Sequence, residues 1–345
     1  MTTVDANKAQ PAPAALEEWL ARNLPGYRGP ATLKKCGFGQ SNPTFQLSCQ
    51  SGKYILRRKP LGPLLPKAHA IERDFRVIGA LGDSPVPVPR VHAFCEDAGV
   101  LGAAFYLMEF VDGRIFYDQT LPGMSAAGRA EIYDGMNAAV AALHSVDPDD
   151  YGLGDYGRSE GFVERQITLW TKQYHATAGE RNEAMERLID WLPANIPPES
   201  PGGIFHGDLR IDNMVFHPTE PRVLALLDWE LSTLGNRMAD FAYHMMVWRV
   251  PRDVFRGLSD VDFAQTGIPT EEAYIKAYCD RVGLTGIPHW DFHMAFSLFR
   301  VAAILQGVWK RSQTGQASAE DSEETGLKAW PLSEIGWSIA SSAKP

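Results

Sequence analysis

Between residues 31 and 58 short apolar runs alternate with polar breaks: "ATLKKC", "PTFQLSC" and "KYILRRK" are separated by "GFGQSN" and "QSGK". Runs of this length, rich in β-branched and aromatic residues and bounded by glycine, serine and asparagine, predict an antiparallel meander. The period then changes. In "LPKAHAIERDFRVIGALG", Ile71, Phe75, Ile78 and Leu81 recur at helical spacing, Pro66 suits a first turn and Gly82 a stop, so one helix is expected to pack on the sheet. "SPVPVPRVHAF" is held extended, because a residue before proline is pushed out of the α region, and "AAFYLMEFV" reads as a buried strand. From Met124 onward helical spacing dominates. Ile132, Met136, Val140 and Leu143 form one stripe, and further helices are expected over 160–176, 181–192, 270–283 and 289–310. Two β-rich pieces, "NMVFH" and "RVLALLDWE", interrupt them. This order predicts an α+β chain, a sheet-rich lobe followed by a mainly helical one. The expected divisions are 1–30 (a tail and first helix), 31–110 and 111–345.

Composition narrows the function classes. The chain has 345 residues, 45% of them hydrophobic and 22% charged, which suits a globular protein with a large core. Its formal net charge is −9 and no run of five or six basic residues relieves it, so nucleic acid is not an expected partner and small molecules are. No apolar run approaches the ~18 residues of a membrane span. The N-terminus "MTTVDANKAQPAPAALEEWL" lacks the basic and apolar regions of a leader, so a cytoplasmic location is expected. Cys36, Cys49, Cys95 and Cys279 form no C-x-x-C pair and predict neither a zinc site nor a redox motif.

The chemistry concentrates in "IFHGDLRIDNMVFHP", residues 204–218, where a histidine, two aspartates, an arginine and an asparagine sit between short apolar runs. A loop pinned at both ends by buried strands can aim its polar groups rather than merely solvate them. Downstream, the run "VLALL" ends at Asp228 in "DWE". A carboxylate at the end of a buried strand is costly unless a charge meets it. Asn213 and Asp228 each offer a hard oxygen, a pairing that suits magnesium completed by phosphate and water.

The spacing H-G-D-x-x-x-x-N, followed by a strand and D-x-E, resembles the aminoglycoside phosphotransferase and choline kinase group, relatives of the protein kinases, whose loop reads H-R-D-x-x-x-x-N with a later D-F-G. The resemblance covers residues 30 to 310 and implies a bilobal protein-kinase-like fold that uses ATP and Mg2+. It places Gly37, Gly39 and Ser41 in a phosphate-covering hairpin, and Arg57 where the family carries its phosphate-binding lysine. Glu72 is implied as the partner of Arg57, with Arg58 or Lys59 as alternatives to that arginine. At the hinge in "YLMEFVDG", the Glu109 carbonyl and the Val111 amide are implied to meet the adenine edge. Asp208 is implied as the catalytic base, Arg210 as a residue that reaches the γ-phosphate or else pairs with Asp212 or Glu230, and Asn213 and Asp228 as metal ligands. His206 reads as a structural brace and Asp240 as a scaffold residue bonding the loop backbone from a helix start. Arg300, among apolar neighbours, either pairs with a scaffold carboxylate or faces an anionic substrate.

Within that group, "LHSVDPDDYGLGDYGR", "QITLWTKQY" and "LLDWELSTLGNRMADFAY" are most similar to the phosphotransferase domains associated with acyl-CoA dehydrogenases. That branch implies a hydroxylated acyl acceptor, a hydroxyacyl-CoA or related hydroxy acid. An aminoglycoside O-phosphotransferase and a catalytically silent nucleotide-binding scaffold are the alternatives. A peptide acceptor is disfavoured: eleven residues separate Asp228 from Asp240 and no A-P-E triplet occurs.

Overall fold

The computed structural model of the protein describes residues 9–36, 42–62, 70–177, 181–313 and 322–343. These divide into two compact units. The first comprises the described residues up to Gly113 together with Leu224–Glu230, and the second comprises Arg114–Val223 and the described residues from Leu231 onward.

The first unit is built on a six-stranded sheet in the order Gln10–Pro11, Thr32–Lys35, Thr44–Cys49, Gly52–Arg58, Phe105–Glu109, Val91–Cys95. All neighbouring strands are antiparallel, as the alternating sequence predicts. Strand residues point alternately to the two faces, and each face has its own core. Leu47, Leu56 and Leu107 pack with Leu16, Trp19 and Leu20 of the helix Ala14–Asn23. Ile55, Tyr106 and Met108 pack with Ile71 and Phe75 of the helix Ile71–Leu81. The sequence grouped the first helix with the N-terminal tail in residues 1–30. Its apolar residues at i, i+3 and i+4 instead bury it in the core of this unit, each fully buried leucine contributing roughly 1.5–3 kcal/mol. The described part of the second helix begins at Ile71; Pro66, expected in its first turn, lies outside the described residues.

The second unit contains the expected helices as Ala126–Ser145, Phe162–Thr177, Glu183–Ala194, Glu271–Val282 and Trp290–Gln313. By length and composition Trp290–Gln313 could cross a membrane, contrary to the expectation that no such stretch exists, but 83% of its apolar window is buried inside the protein. It is a core helix. The helix Arg237–Met245 begins at the helix start read around Asp240, whereas Ala329–Ser342 went unread in the sequence. So did a short strand, Thr233–Asn236, which pairs antiparallel with Gly202–Phe205 and thereby holds the entry to the 206–213 loop. Beyond the loop, Met214–Phe216 is held by Arg114: its backbone exchanges hydrogen bonds with Phe216 at 2.8 Å, and its Nε donates to the His217 carbonyl at 2.8 Å.

Candidate active site

In the first unit the polar cluster forms around Arg57. Strand alternation puts Leu56 into one core and Arg57 onto the opposite face, beside Tyr106 and the Ile71–Leu81 helix. There Arg57 is buried, and its Nη2 donates to Asp228 Oδ1 at 2.8 Å and to Glu230 Oε2 at 3.3 Å. Its Nη1 lies 3.8 Å from Asp74 Oδ2. Arg58 lies on the other face, donating to the Leu101 carbonyl at 3.1 Å with its guanidinium over the Phe45 ring. Of the three basic residues, this register brings Arg57 into the buried cluster with Asp74, Asp228 and Glu230.

Glu72 is not the partner of Arg57. It is half-exposed and takes Lys59 in an ion pair at 2.9 Å, while Asp74 meets Arg57. The reason is helical geometry: Asp74 lies three residues from Ile71 and four from Ile78, on the buried stripe, whereas Glu72 is turned about 200° away. The pattern was available in the sequence, since an acidic residue at i+3 in an apolar stripe must be buried and needs a cation. Burial raises the Asp74 carboxyl, Arg57 lowers it, and the nearby carboxylates of Asp228, Glu230 and Glu72 raise it further, leaving it at about 7.

Asp228 follows the strand Val223–Leu226 with φ of +66°, a left-handed conformation that aspartate tolerates better than most residues. The chain turns sharply there, and the buried Trp229 ring fixes the turn by donating from Nε1 to the Leu226 carbonyl at 3.0 Å. Glu109 ends the strand Phe105–Glu109, and Val111 follows in the segment leading out. Gly37, Gly39 and Ser41 lie outside the described residues.

In the second unit the loop after Gly202–Phe205 is held by its backbone. Asp240, fully buried, accepts from the amides of His206 at 2.7 Å and Gly207 at 2.9 Å, and meets His144 Nε2 at 3.3 Å. Asn236 caps the helix that carries Asp240, accepting from the amides of Met238 and Ala239. Burial alone would raise the Asp240 carboxyl, but the hydrogen bond and charge of His144, with His206, hold it below the ordinary carboxylate value. The sequence reading of Asp240 as a brace on the loop backbone is what these bonds show. Gly207 has φ of +87°, and a Cβ there would come within 3.0 Å of Leu231 and Phe205. Glycine is therefore required between the histidine and the aspartate.

Among the described residues, Asp208 accepts four side-chain hydrogen bonds. Arg210 Nε and the Tyr243 hydroxyl reach Oδ1 at 2.9 and 2.5 Å, and Asn213 Nδ2 and Arg210 Nη2 reach Oδ2 at 2.8 and 3.3 Å. Burial pushes this carboxyl up, but the Arg210 charge and the Tyr243 hydrogen bond outweigh it and keep the group below its ordinary value, ionised at neutral pH. Arg210 also lies 3.3 Å from Asp212, which pairs with Arg256 at 3.1 Å. The loop thus brings Asp208, Arg210 and Asn213 together, as expected.

Arg300 has no carboxylate partner among the described residues. Its Nη2 donates to the Gly207 carbonyl at 2.8 Å, and its guanidinium lies 5.2–5.9 Å from the ring centres of Tyr243, Phe205 and Trp170. Three aromatic faces and one carbonyl stabilise this buried cation. Tyr243 was missed by sequence reasoning. Its signal was a place three residues after Asp240 on one helix, hence the same face.

Among the described residues no group of three or more His, Cys, Asp or Glu side chains could hold a metal. Asn213 donates from Nδ2 to the Asp208 carbonyl at 2.9 Å and to its carboxylate at 2.8 Å.

Residues 32–296 match the phosphotransferase enzyme family. The chain is 45% identical over 329 residues to mouse acyl-CoA dehydrogenase family member 10, covering 94% of this chain and 31% of that protein. It is 41% identical to human acyl-CoA dehydrogenase family member 11, covering 94% and 43%. The chain thus spans 31% and 43% of the length of these two relatives. A solved structure from Ralstonia eutropha, described as a candidate aminoglycoside phosphotransferase, is 48% identical with a TM-score of 0.90, covering 97% of this chain and 100% of that one. A choline kinase from Cryptosporidium parvum superposes with a TM-score of 0.61 at 15% identity over 93% of this chain and 94% of that one, a likeness of fold alone.

Proposed function

The chain belongs to the phosphotransferase enzyme family and has its protein-kinase-like fold; from that premise we propose that it transfers the γ-phosphoryl group of ATP to a hydroxyl of a small molecule, a hydroxyacyl-CoA or related hydroxy acid. The observation that carries this reading is Asp208, a buried carboxylate kept ionised and aimed by four hydrogen bonds. In the proposed reaction the acceptor oxygen forms a bond to the γ-phosphorus as the bond from that phosphorus to the β,γ-bridging oxygen breaks. The electron pair leaves with ADP and the hydroxyl proton passes to Asp208. Positioning and charge stabilisation supply most of the acceleration in such a transfer. Arg57 supplies a planar fork for phosphate oxygens. Asn213 and Asp228 would hold magnesium, which when bound neutralises charge on the phosphates.

Support for the acyl acceptor comes from the names of the relatives at 41–45% identity.

The test is transfer from γ-labelled ATP to hydroxyacyl-CoA thioesters of several chain lengths and to kanamycin. Hydroxyacyl-CoA is expected to be phosphorylated in preference. Equal or faster turnover of kanamycin overturns the acceptor assignment, and ATP binding without transfer to any hydroxy compound favours the silent scaffold.

A further inference from the structure

Asp208 has more hydrogen-bond partners than a working general base can keep. Two carboxylate oxygens offer about four lone-pair sites, and the donors from Arg210, Tyr243 and Asn213 fill them. An acceptor hydroxyl must reach one of these oxygens to give up its proton, so one donor has to yield. Arg210 is the least committed: its Nη2 contact is the longest at 3.3 Å, its side chain is 31% accessible, and Asp212 offers it a second carboxylate. Tyr243 is the opposite case. It is 7% accessible and its hydroxyl makes the shortest of the four contacts. Its ring lies 5.2 Å from the Arg300 guanidinium, which is itself anchored on the Gly207 carbonyl. One buried stack therefore fixes both the backbone one residue before Asp208 and the donor that aims the Asp208 side chain.

We propose that Tyr243 is a positioning residue for the phosphoryl-transfer reaction, the donor that holds the Asp208 carboxylate in its reactive orientation when Arg210 releases it. The proposal rests on the reading of Asp208 as the base. It assigns the two donors on Oδ1 different duties: Tyr243 stays and Arg210 leaves. Removing the phenol oxygen should misplace the carboxylate without emptying the core, since phenylalanine keeps the ring under Arg300.

The experiment compares wild type, Tyr243→Phe and Arg300→Lys for transfer from Mg-ATP to hydroxyacyl-CoA and for Mg-ATP hydrolysis by water, together with KM for ATP and the melting temperature. For Tyr243→Phe, kcat is expected to fall about tenfold to a hundredfold in both reactions. KM for ATP should stay within about twofold and Tm within a few degrees. Arg300→Lys, which disturbs the support of the ring but leaves the phenol, should lower kcat less and also spare KM. Unchanged kcat in Tyr243→Phe overturns the proposal. A joint fall of kcat, ATP affinity and Tm in both variants overturns it in favour of a structural role. A wild type that neither transfers nor hydrolyses is a separate failure, which removes the reading of Asp208 as base and the proposal with it.

Discussion

The polar clusters of the two units are satisfied to different degrees. In the second unit Asp208 accepts four hydrogen bonds, and Asp240 accepts two amides and meets His144. In the first unit Arg57 is surrounded by Asp74, Asp228 and Glu230, yet among the described residues Arg57 Nε and Asp74 Oδ2 find no hydrogen-bond partner. A buried polar group left unmatched costs about 1–3 kcal/mol. The difference teaches where rigidity is built in. Asp208, the proposed base, is held by the protein's own donors, whereas the cluster around Arg57 is held by charge with hydrogen-bonding capacity to spare, as befits residues proposed to meet phosphate and magnesium.

The largest expected effect tests the preorganised side. Asp208→Asn keeps the shape of the side chain but removes the proton acceptor, and should lower transfer by about 10²- to 10⁴-fold while ATP still binds; steady-state kinetics beside nucleotide titration checks this. Next, Arg57→Ala would leave Asp74 buried without its cation and should cost about 3–5 kcal/mol of stability, read as a lower denaturation midpoint. Arg57→Lys should recover part of that stability while raising KM for ATP, because it restores the charge but not the fork.

Acid should separate the units further. In the second unit burial lowers His244 and His293 from the ordinary 6.5 to about 4. The folded state therefore refuses protons that the unfolded chain takes up, so the stability these residues supply is present above pH 6.5 and lost as pH falls toward 4. The loss is on the order of 3 kcal/mol for each. Asp74 has the opposite sign. With its carboxyl at about 7, it favours the folded state at low pH and loses that contribution as pH rises from about 4 to 7. Denaturation at pH 4.5, 6 and 8 should show net acid destabilisation in the wild type, and a steeper acid loss in Asp74→Asn, where the compensating group is gone. The smallest effect is expected from Glu72→Gln, less than about 1 kcal/mol in stability with kcat unchanged, because its pair with Lys59 is half-exposed. A larger loss would show that Glu72 does more than the geometry gives it.

Much of this was readable before folding. The meander, the Ile71–Leu81 helix and the helical second half follow from period alone, and the loop aspartate and asparagine were found because their spacing is local to one turn-rich segment. The helix Arg237–Met245 was read only at its start, through Asp240, and its extent came from the structure. Thr233–Asn236 was passed over because a four-residue strand containing Gly235 carries little pattern of its own.

What the sequence determined by itself was the identity and local order of the candidate groups: Asp208, Arg210 and Asn213 in one loop and Asp228 after one strand. Which groups meet across distance was decided only by the tertiary structure. Asp74 instead of Glu72 answers Arg57, Tyr243 reaches Asp208 from 35 residues away, and Arg300 rests on aromatic rings and a carbonyl. The physical reason is that spacing along the chain sets which face of a strand or helix a residue occupies, while its partner is whatever another element's packing brings to that face. The cost of leaving a buried charge unmet then selects the pairing that forms.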